Sequence, residues 1–428
     1  MSDRTKGQTR RRYGLACRRP REAGTAITGR QRSVGWVLVL ALGWVGCATD
    51  TARPPDDRGP LFVEPRSEDF ADNPALLARI LESPHGYLRF INLQFSSETC
   101  RRFADTFDEV PVFNLHGDAH IEQYAVTDLG RGLTDFDDSS TGPAVVDLMR
   151  TLVSLELAAR LHGWDDRVTE IQRRFLAGYR EALEDPETEA PVPRVVARLA
   201  AEFEYDREKY FEWVESIVDR VPPPEARALV EAMAPYIEAM VEEHEDLGTG
   251  FFEVVDVGYL RLGIGSALDR KYLVRIQAPS ADPADDVVLE LKQVRDLTGI
   301  DCISVSRRID PQRILRGQAR IAYQPYRFLG YVRFDGLTFW IHAWVDNYTE
   351  TNAQTTFRTP EELAEVAYDI GVQLGRGHPK LTESQLAVQL RNEELRVLDR
   401  DQARFEQTAH QMTDEVIAAW EAFRAAVG

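Results

Sequence analysis

The chain has 428 residues, 43% of them hydrophobic and 28% charged, and a formal net charge of −19. That length and apolar content suffice to bury a sizeable core in one large domain or two to three ordinary ones. The acidic balance excludes general nucleic-acid binding, because no broad basic surface is available to neutralise phosphates.

The charge is uneven. Residues 1–46 hold ten Lys/Arg against only Asp3 and Glu22. This basic head runs into the apolar stretch Val34–Gly46 and stops at Cys47. The run is too short to span a bilayer comfortably and reads as the apolar part of a signal peptide, residues 1–47. Gly46 before Cys47 resembles a bacterial lipoprotein lipobox. That resemblance implies lipidation at Cys47, a membrane anchor through the lipid and a place in the cell envelope. Trp44 departs from the motif; a start assigned too far upstream, leaving a cytoplasmic protein, is the alternative. Residues 48–66, rich in Pro, Asp and Arg, read as a linker. Past the head only Cys100 and Cys302 remain, with no C-x-x-C or zinc spacing. Two ordinary thiols are expected there, one disulfide being the alternative.

Residues 67–107 read as mostly helical, "NPALLARILES" having apolar residues at i, i+3, i+4. In 110–138 short strands are expected: "VPVFNL", then "QYAVTDLGRGLTDF" as a hairpin with Gly130 and Gly132 in its turn. From 144 to 247 the pattern is helical, "VVDLMRTLVSLELAARL" most strongly, with breaks at Pro186, Pro191, Pro193 and Pro222–Pro224. Strands return over 251–293, closing on "DVVLELKQV". A helix is predicted over 309–322, then a hairpin turning at Asp335–Gly336. The tail is helical from about 359, broken by "GHPK" at 377–380.

The densest chemistry lies in "NLHGDAHIEQYAVTDLGRGLTDFDD", residues 114–138. His116-Gly117-Asp118 ends a strand, and glycine there allows a sharp turn. Asp118 is thereby aimed toward a cleft. Gln123 follows five residues on, and Asp135, Asp137 and Asp138 close the next hairpin. A carboxylate base, an amide oxygen and a second carboxylate make an oxygen-rich site suited to Mg²⁺. Phosphoryl transfer uses such parts: a base for the acceptor hydroxyl and metal ligands for the nucleotide phosphates.

The spacing H-G-D-x-x-x-x-Q followed by D-F resembles the catalytic and metal loops of the aminoglycoside-phosphotransferase and protein-kinase-like fold. More closely, "HGDAHIEQY…LTDFDDSSTGPAVVDLMRTLVSL" is similar to the bacterial family of unknown function DUF2252, with further likeness at "RLGIGSALDRKYLV" and "VLELKQV". The resemblance covers roughly residues 75–380. It implies Asp118 as catalytic base, with His116 and His120 beside it. Asp135, Gln123 and Asp137 would be Mg²⁺ ligands. Gly263, Gly265, Ser266 and Lys292 would bind the phosphates of ATP or another nucleotide, and Asp147 and Arg150 would be structural supports.

The implied fold is α+β, a two-lobed protein-kinase-like fold, with a helical lobe over 67–250, a nucleotide-binding β lobe over 251–345 and C-terminal helices over 346–428. In kinase-like chains the glycine turn and lysine precede the catalytic loop; here they follow it, which implies circular permutation. The expected function is Mg²⁺-dependent transfer of a nucleotide phosphoryl group to a hydroxyl on an acceptor, small molecule or protein, that the sequence does not mark. The alternative is a catalytically impaired, pseudokinase-like binding module of the cell envelope. Gln123 stands where the fold usually has Asn, and the helix over 309–322 offers Lys292 no carboxylate, only Gln318. A dinuclear metallophosphoesterase is excluded by the missing D-x-H, G-N-H and H-x-H motifs. A serine hydrolase is excluded by the missing G-x-S-x-G.

Overall fold

The computed structural model describes residues 58–65, 70, 74–107, 109–248, 250–260, 269–278, 280, 282–380 and 383–427. Cys47 with its signal segment, most of the 48–66 linker, and Gly263, Gly265 and Ser266 lie outside these residues.

Three short helices lead: α1 (Pro74–Glu82), α2 (Pro84–Phe90) and α3 (Asn92–Arg102). Ser83 caps α2 by accepting from the Gly86 amide at 3.0 Å, and Pro84 supplies a φ already suited to a helix start. Next come β1 (Phe113–Leu115), the hairpin β2 (Tyr124–Thr127) and β3 (Gly130–Leu133), and β4 (Ser140–Gly142), which returns antiparallel to β1. The hairpin forms where expected, but its turn is Asp128–Leu129. Gly130 and Gly132 both sit inside β3. Gly132 has φ +133°, a conformation that side-chain-bearing residues rarely adopt, and a Cβ there would also meet the Gln373 side chain at 2.7 Å and Tyr323 at 3.0 Å.

Helix α4 (Val145–Leu161) is buried without a break from Val145 to Ala159, which makes it the central helix of the main core. Helix α5 (Val168–Glu184) flanks it, followed by α6 (Arg194–Ala200), α7 (Arg207–Ile217), the short strand β5 (Val218–Arg220) and α8 (Pro223–Glu243). The all-helical expectation for 144–247 therefore misses β5. Three residues carry no periodic signal, and this strand exists because β6 offers it an open edge.

Strands β6 (Val254–Leu260), β7 (Lys271–Ile276) and β8 (Val287–Gln293) precede α9 (Pro311–Ile321). Strands β9 (Gly330–Phe334) and β10 (Leu337–Ala343) then form the hairpin about Asp335–Gly336, and β11 (Tyr348–Glu350) pairs with β2. The result is an antiparallel six-stranded sheet in the order β5-β6-β7-β8-β10-β9, beside the three-stranded β11-β2-β3 and the pair β1-β4. Helix α8 lays Leu229, Met233 and Tyr236 against the six-stranded sheet.

Two helices finish the chain, α10 (Pro360–Gly377) and α11 (Ser384–Val427). Helices α5 and α10 touch backbone to backbone: a Cβ at Gly371 would lie 2.1 Å from the Phe175 carbonyl oxygen. Architecture is thus mixed α+β with separate antiparallel sheets. No helix among the described residues is long and apolar enough to cross a membrane.

Cys100 and Cys302 form a disulfide, which corrects the expectation of two free thiols. It ties α3 to the connection between β8 and α9. Tertiary folding brings together two cysteines 202 residues apart, a proximity that spacing alone does not encode.

Candidate active site

The loop after β1 is held from below. Asp147, in the first turn of α4, accepts from the amides of His116 at 2.7 Å and Gly117 at 2.8 Å. The same carboxylate receives His378 Nε2 at 3.0 Å, and His378 Nδ1 in turn lies 2.9 Å from the Tyr179 hydroxyl. Gly117 has φ +85°, and a Cβ there would sit 1.9 Å from the Asp138 carbonyl oxygen. No other residue fits. His116 directs both ring nitrogens to the backbone: Nε2 to the Thr134 carbonyl at 2.8 Å, Nδ1 to the Asp118 amide at 3.3 Å. The ring therefore carries its proton on Nε2 and braces the loop.

Asp118 follows, 6% exposed. Its Oδ1 accepts from Nε of Arg150 (2.8 Å), one turn beyond Asp147 on α4, and lies 2.7 Å from Nη2 of the same guanidinium. Its Oδ2 lies 3.4 Å from Gln123 Nε2 and 3.5 Å from His120 Nε2. Burial pushes the Asp118 carboxyl up, but the Arg150 charge, with His120, more than reverses this and holds it well below the usual range. Burial pushes the His120 imidazole down to about 4, and neither of its ring nitrogens is hydrogen-bonded.

The second carboxylate group sits on the turn after β3. Asp135 has φ +56°, a conformation that Asp tolerates better than most residues. Lys292, on β8, reaches Asp135 Oδ1 at 2.5 Å and Asp137 Oδ2 at 2.7 Å. Trp340 on β10 donates its indole N–H to Asp137 Oδ1 at 2.6 Å. Asp138 points the other way, toward Asn92 (2.9 Å) and Arg295 (3.3 Å). Arg313 of α9 donates to the carbonyls of Asp137 and Ser139. Helix α9 thus braces the turn itself, and its Gln318 accepts from the Tyr326 amide. Burial and the neighbouring Asp135 charge push the Asp137 carboxyl up to about 7. Asp135 is held well below the usual range, because Lys292 outweighs burial.

Gln123 joins the two groups. Its Nε2 lies 3.4 Å from Asp118 Oδ2 and 3.4 Å from Asp135 Oδ2, while its Oε1 is buried with no partner. Among the described residues no group of three His, Cys, Asp or Glu stands ready as a metal cage. Mg²⁺, however, is ordinarily held by one or two carboxylates together with phosphates and water. Asp135, Asp137 and the unpartnered Gln123 oxygen fit that pattern of hard oxygen donors.

These groups face one cavity of about 780 Å³ that reaches both Asp118 and Lys292. The six-stranded sheet adds Lys271, placed opposite Lys292 by the β7–β8 register, and Glu290, two residues before Lys292 on β8. Glu290 accepts from His342 Nε2 at 3.0 Å and Trp344 Nε1 at 2.8 Å. Sequence reading passed over Lys271, Glu290 and Arg295. The available signal was alternation: Glu290 and Lys292 stand two apart on one strand and so share a face.

A family model described as "Uncharacterized protein conserved in bacteria (DUF2252)" matches residues 73–209 and 194–426. Comparisons with curated proteins and with solved structures gave no match. The two matched segments take in the Asp118 loop, the Asp135 turn and Lys292, and the chain belongs to the DUF2252 family.

Proposed function

We propose that this protein is a Mg²⁺-dependent phosphotransferase of two-lobed, protein-kinase-like and circularly permuted architecture, moving the terminal phosphoryl group of a nucleotide to a hydroxyl. The observation that carries this reading is the meeting of Lys292 with Asp135 and Asp137 across 157 residues of chain, within one cavity with Asp118. Order within the sheet supports it. Counted from β6, Lys292 lies on the third strand, the glycine-bearing segment 261–268 joins the first two, and a helix follows the third. A kinase-like lobe places its glycine loop, its lysine and its next helix in that sequence. The catalytic and metal loops come earlier in the chain, hence the permutation.

Asp135, Asp137 and Gln123 Oε1 would hold Mg²⁺, which would supply positive charge against that of the phosphates. Lys292 then exchanges part of its carboxylate contact for phosphate oxygen. Asp118, kept ionised by Arg150, accepts the acceptor's hydroxyl hydrogen and orients that oxygen. A loose transition state asks little of the base, so a weakly basic carboxylate suffices.

A second reading, a non-catalytic binding module of the cell envelope, is favoured by the disulfide. Cys100–Cys302 fits an oxidising compartment, as does a lipid anchor at Cys47, and such a compartment is not expected to supply ATP. Calorimetric titration of Mg²⁺–ATP into the full chain separates the two. Binding is expected, and Asp135→Ala and Lys292→Ala should each abolish it. Absence of heat from the unmutated protein rejects phosphoryl transfer; binding that survives both substitutions rejects the site.

A further inference from the structure

We infer that the base of the donor nucleotide stacks on Trp213, and that this end of the cleft takes nucleoside triphosphates with little regard for which base they carry. The inference rests on the phosphotransfer reading above and deepens it.

The cleft-facing side of β8 changes character along its length. Lys292 and Glu290 are polar; Val288, four residues before Lys292, is apolar. Val288, with Leu260 and Leu273, is covered by Tyr210, Phe211 and Val214 of α7. A base therefore cannot lie directly on the sheet there. Helix α7 is pinned in place: Arg207 at its start donates to the carbonyls of Ala284 and Asp286 and pairs with Asp346. What this covering helix presents instead is Trp213. Its ring stacks on Trp344 at 5.5 Å and 19°, yet the residue stays 46% exposed, and both indoles line the same cavity as Lys292. A half-exposed Trp on a cavity wall offers a flat apolar surface to a planar ligand.

The spacing fits. The Trp344 amide bonds the Val288 carbonyl at 2.7 Å. Four strand residues separate Val288 from Lys292, roughly 13 Å at the usual strand rise. That is comparable to the reach of a nucleoside triphosphate from its base to its terminal phosphate. Three polar side chains at this end are already engaged: Glu290 by His342 and Trp344, Asp346 by Arg207, Asn347 by Asp128 and the Glu204 backbone. Stacking accepts any base, because each has a π-face, whereas these three side chains are held away from reading a base edge.

The test titrates the full chain with Mg²⁺ complexes of ATP, GTP and inorganic tripolyphosphate, read by calorimetry and tryptophan fluorescence, beside Trp213→Ala and Trp213→Phe. ATP and GTP should bind within a few-fold of each other and about 10- to 100-fold tighter than tripolyphosphate. Trp213→Ala should reduce ATP to the tripolyphosphate level while leaving tripolyphosphate binding unchanged, which also shows that the variant is folded. Trp213→Phe should keep most of the ATP advantage. Equal binding of ATP and tripolyphosphate by the unmutated protein overturns the stacking site and leaves the phosphate site standing, as does an ATP advantage that survives Trp213→Ala. A large preference for one purine overturns the base tolerance. If neither ATP nor tripolyphosphate binds, the phosphotransfer reading falls, and the stacking site with it.

Discussion

Replacing Arg150 with Met keeps most of its volume and removes the charge that holds Asp118 ionised. Asp118 is 6% exposed, and its remaining neighbours, Gln123 and His120, are 3.4 and 3.5 Å away. A buried ion pair broken from one side typically costs about 3–5 kcal/mol. Here an upper bound can be worked out, because Asp118 can escape by taking a proton. At pH 7 that escape costs about 4 kcal/mol, from 1.36 kcal/mol per unit between pH 7 and an unfolded pKa near 3.9. At pH 5 the same escape costs only about 1.5 kcal/mol. In the native protein Asp118 has a depressed pKa, so its stabilisation is present above the unfolded value and is lost only as pH falls below it. In Arg150→Met the pKa is raised instead, so stability is lost as pH climbs from about 4. Urea denaturation at pH 5 and pH 7.5 reads the difference. The variant should lose about 4–5 kcal/mol at the higher pH and less than half that at the lower. A loss equal at both would refute the argument, showing that Arg150 acts through its packing over Phe95 rather than through charge. Asp118→Asn placed on Arg150→Met should restore most of the loss at pH 7.5.

Asp147→Asn should lower stability by about 3 kcal/mol, since hydrogen bonds to a charged group contribute roughly 1.5–3 kcal/mol each and a side-chain amide cannot accept all three donors. Thermal melts and Mg²⁺–ATP binding should fall together; unchanged binding would remove Asp147 as the support of the Asp118 loop. Replacing both Cys100 and Cys302 with Ser should cost about 2–5 kcal/mol. Thiol reductant should lower the melting temperature of the unmutated protein by a similar amount and leave the double variant unmoved. A reductant effect on the variant would point to a cause other than this bond.

Local pattern made much of the architecture legible. "VLELKQV" alternates, and it is β8. "VVDLMRTLVSLELAARL" is rich in apolar residues at helical spacing, and it is the buried α4. What the sequence hid was the partner of each polar residue. Lys292 reads as a lone cation in an apolar run, and nothing local names Asp135 as its mate. Asp147 and Arg150 stand three apart and so share a helix face, a spacing visible in the sequence. That one supports a loop backbone while the other grips Asp118 depends on where β1 ends in space. Gly130 and Gly132 suggested a turn because glycine usually signals one; Gly132 answers instead to Gln373, some 240 residues on. Helix α7 was legible as a helix, but its position over the sheet follows from Arg207 meeting Asp346 and the 284–286 backbone. Cys100 and Cys302 were visible as residues only.

That disulfide has a topological consequence. It closes residues 100–302 into a covalent ring, and the ring contains the Asp118 loop, the Asp135 turn and Lys292. The chain leaves the ring as two tails: α1, α2 and most of α3 on one side, everything after Cys302 on the other. A protease that cuts once anywhere inside the ring opens it without releasing a fragment. Asp118, the proposed metal ligands Asp135 and Asp137, and Lys292 would remain on one covalent molecule after such a cut. In an extracytoplasmic setting, where proteases are plentiful and replacement requires a new round of export, damage to a surface loop would not by itself separate the parts of the site.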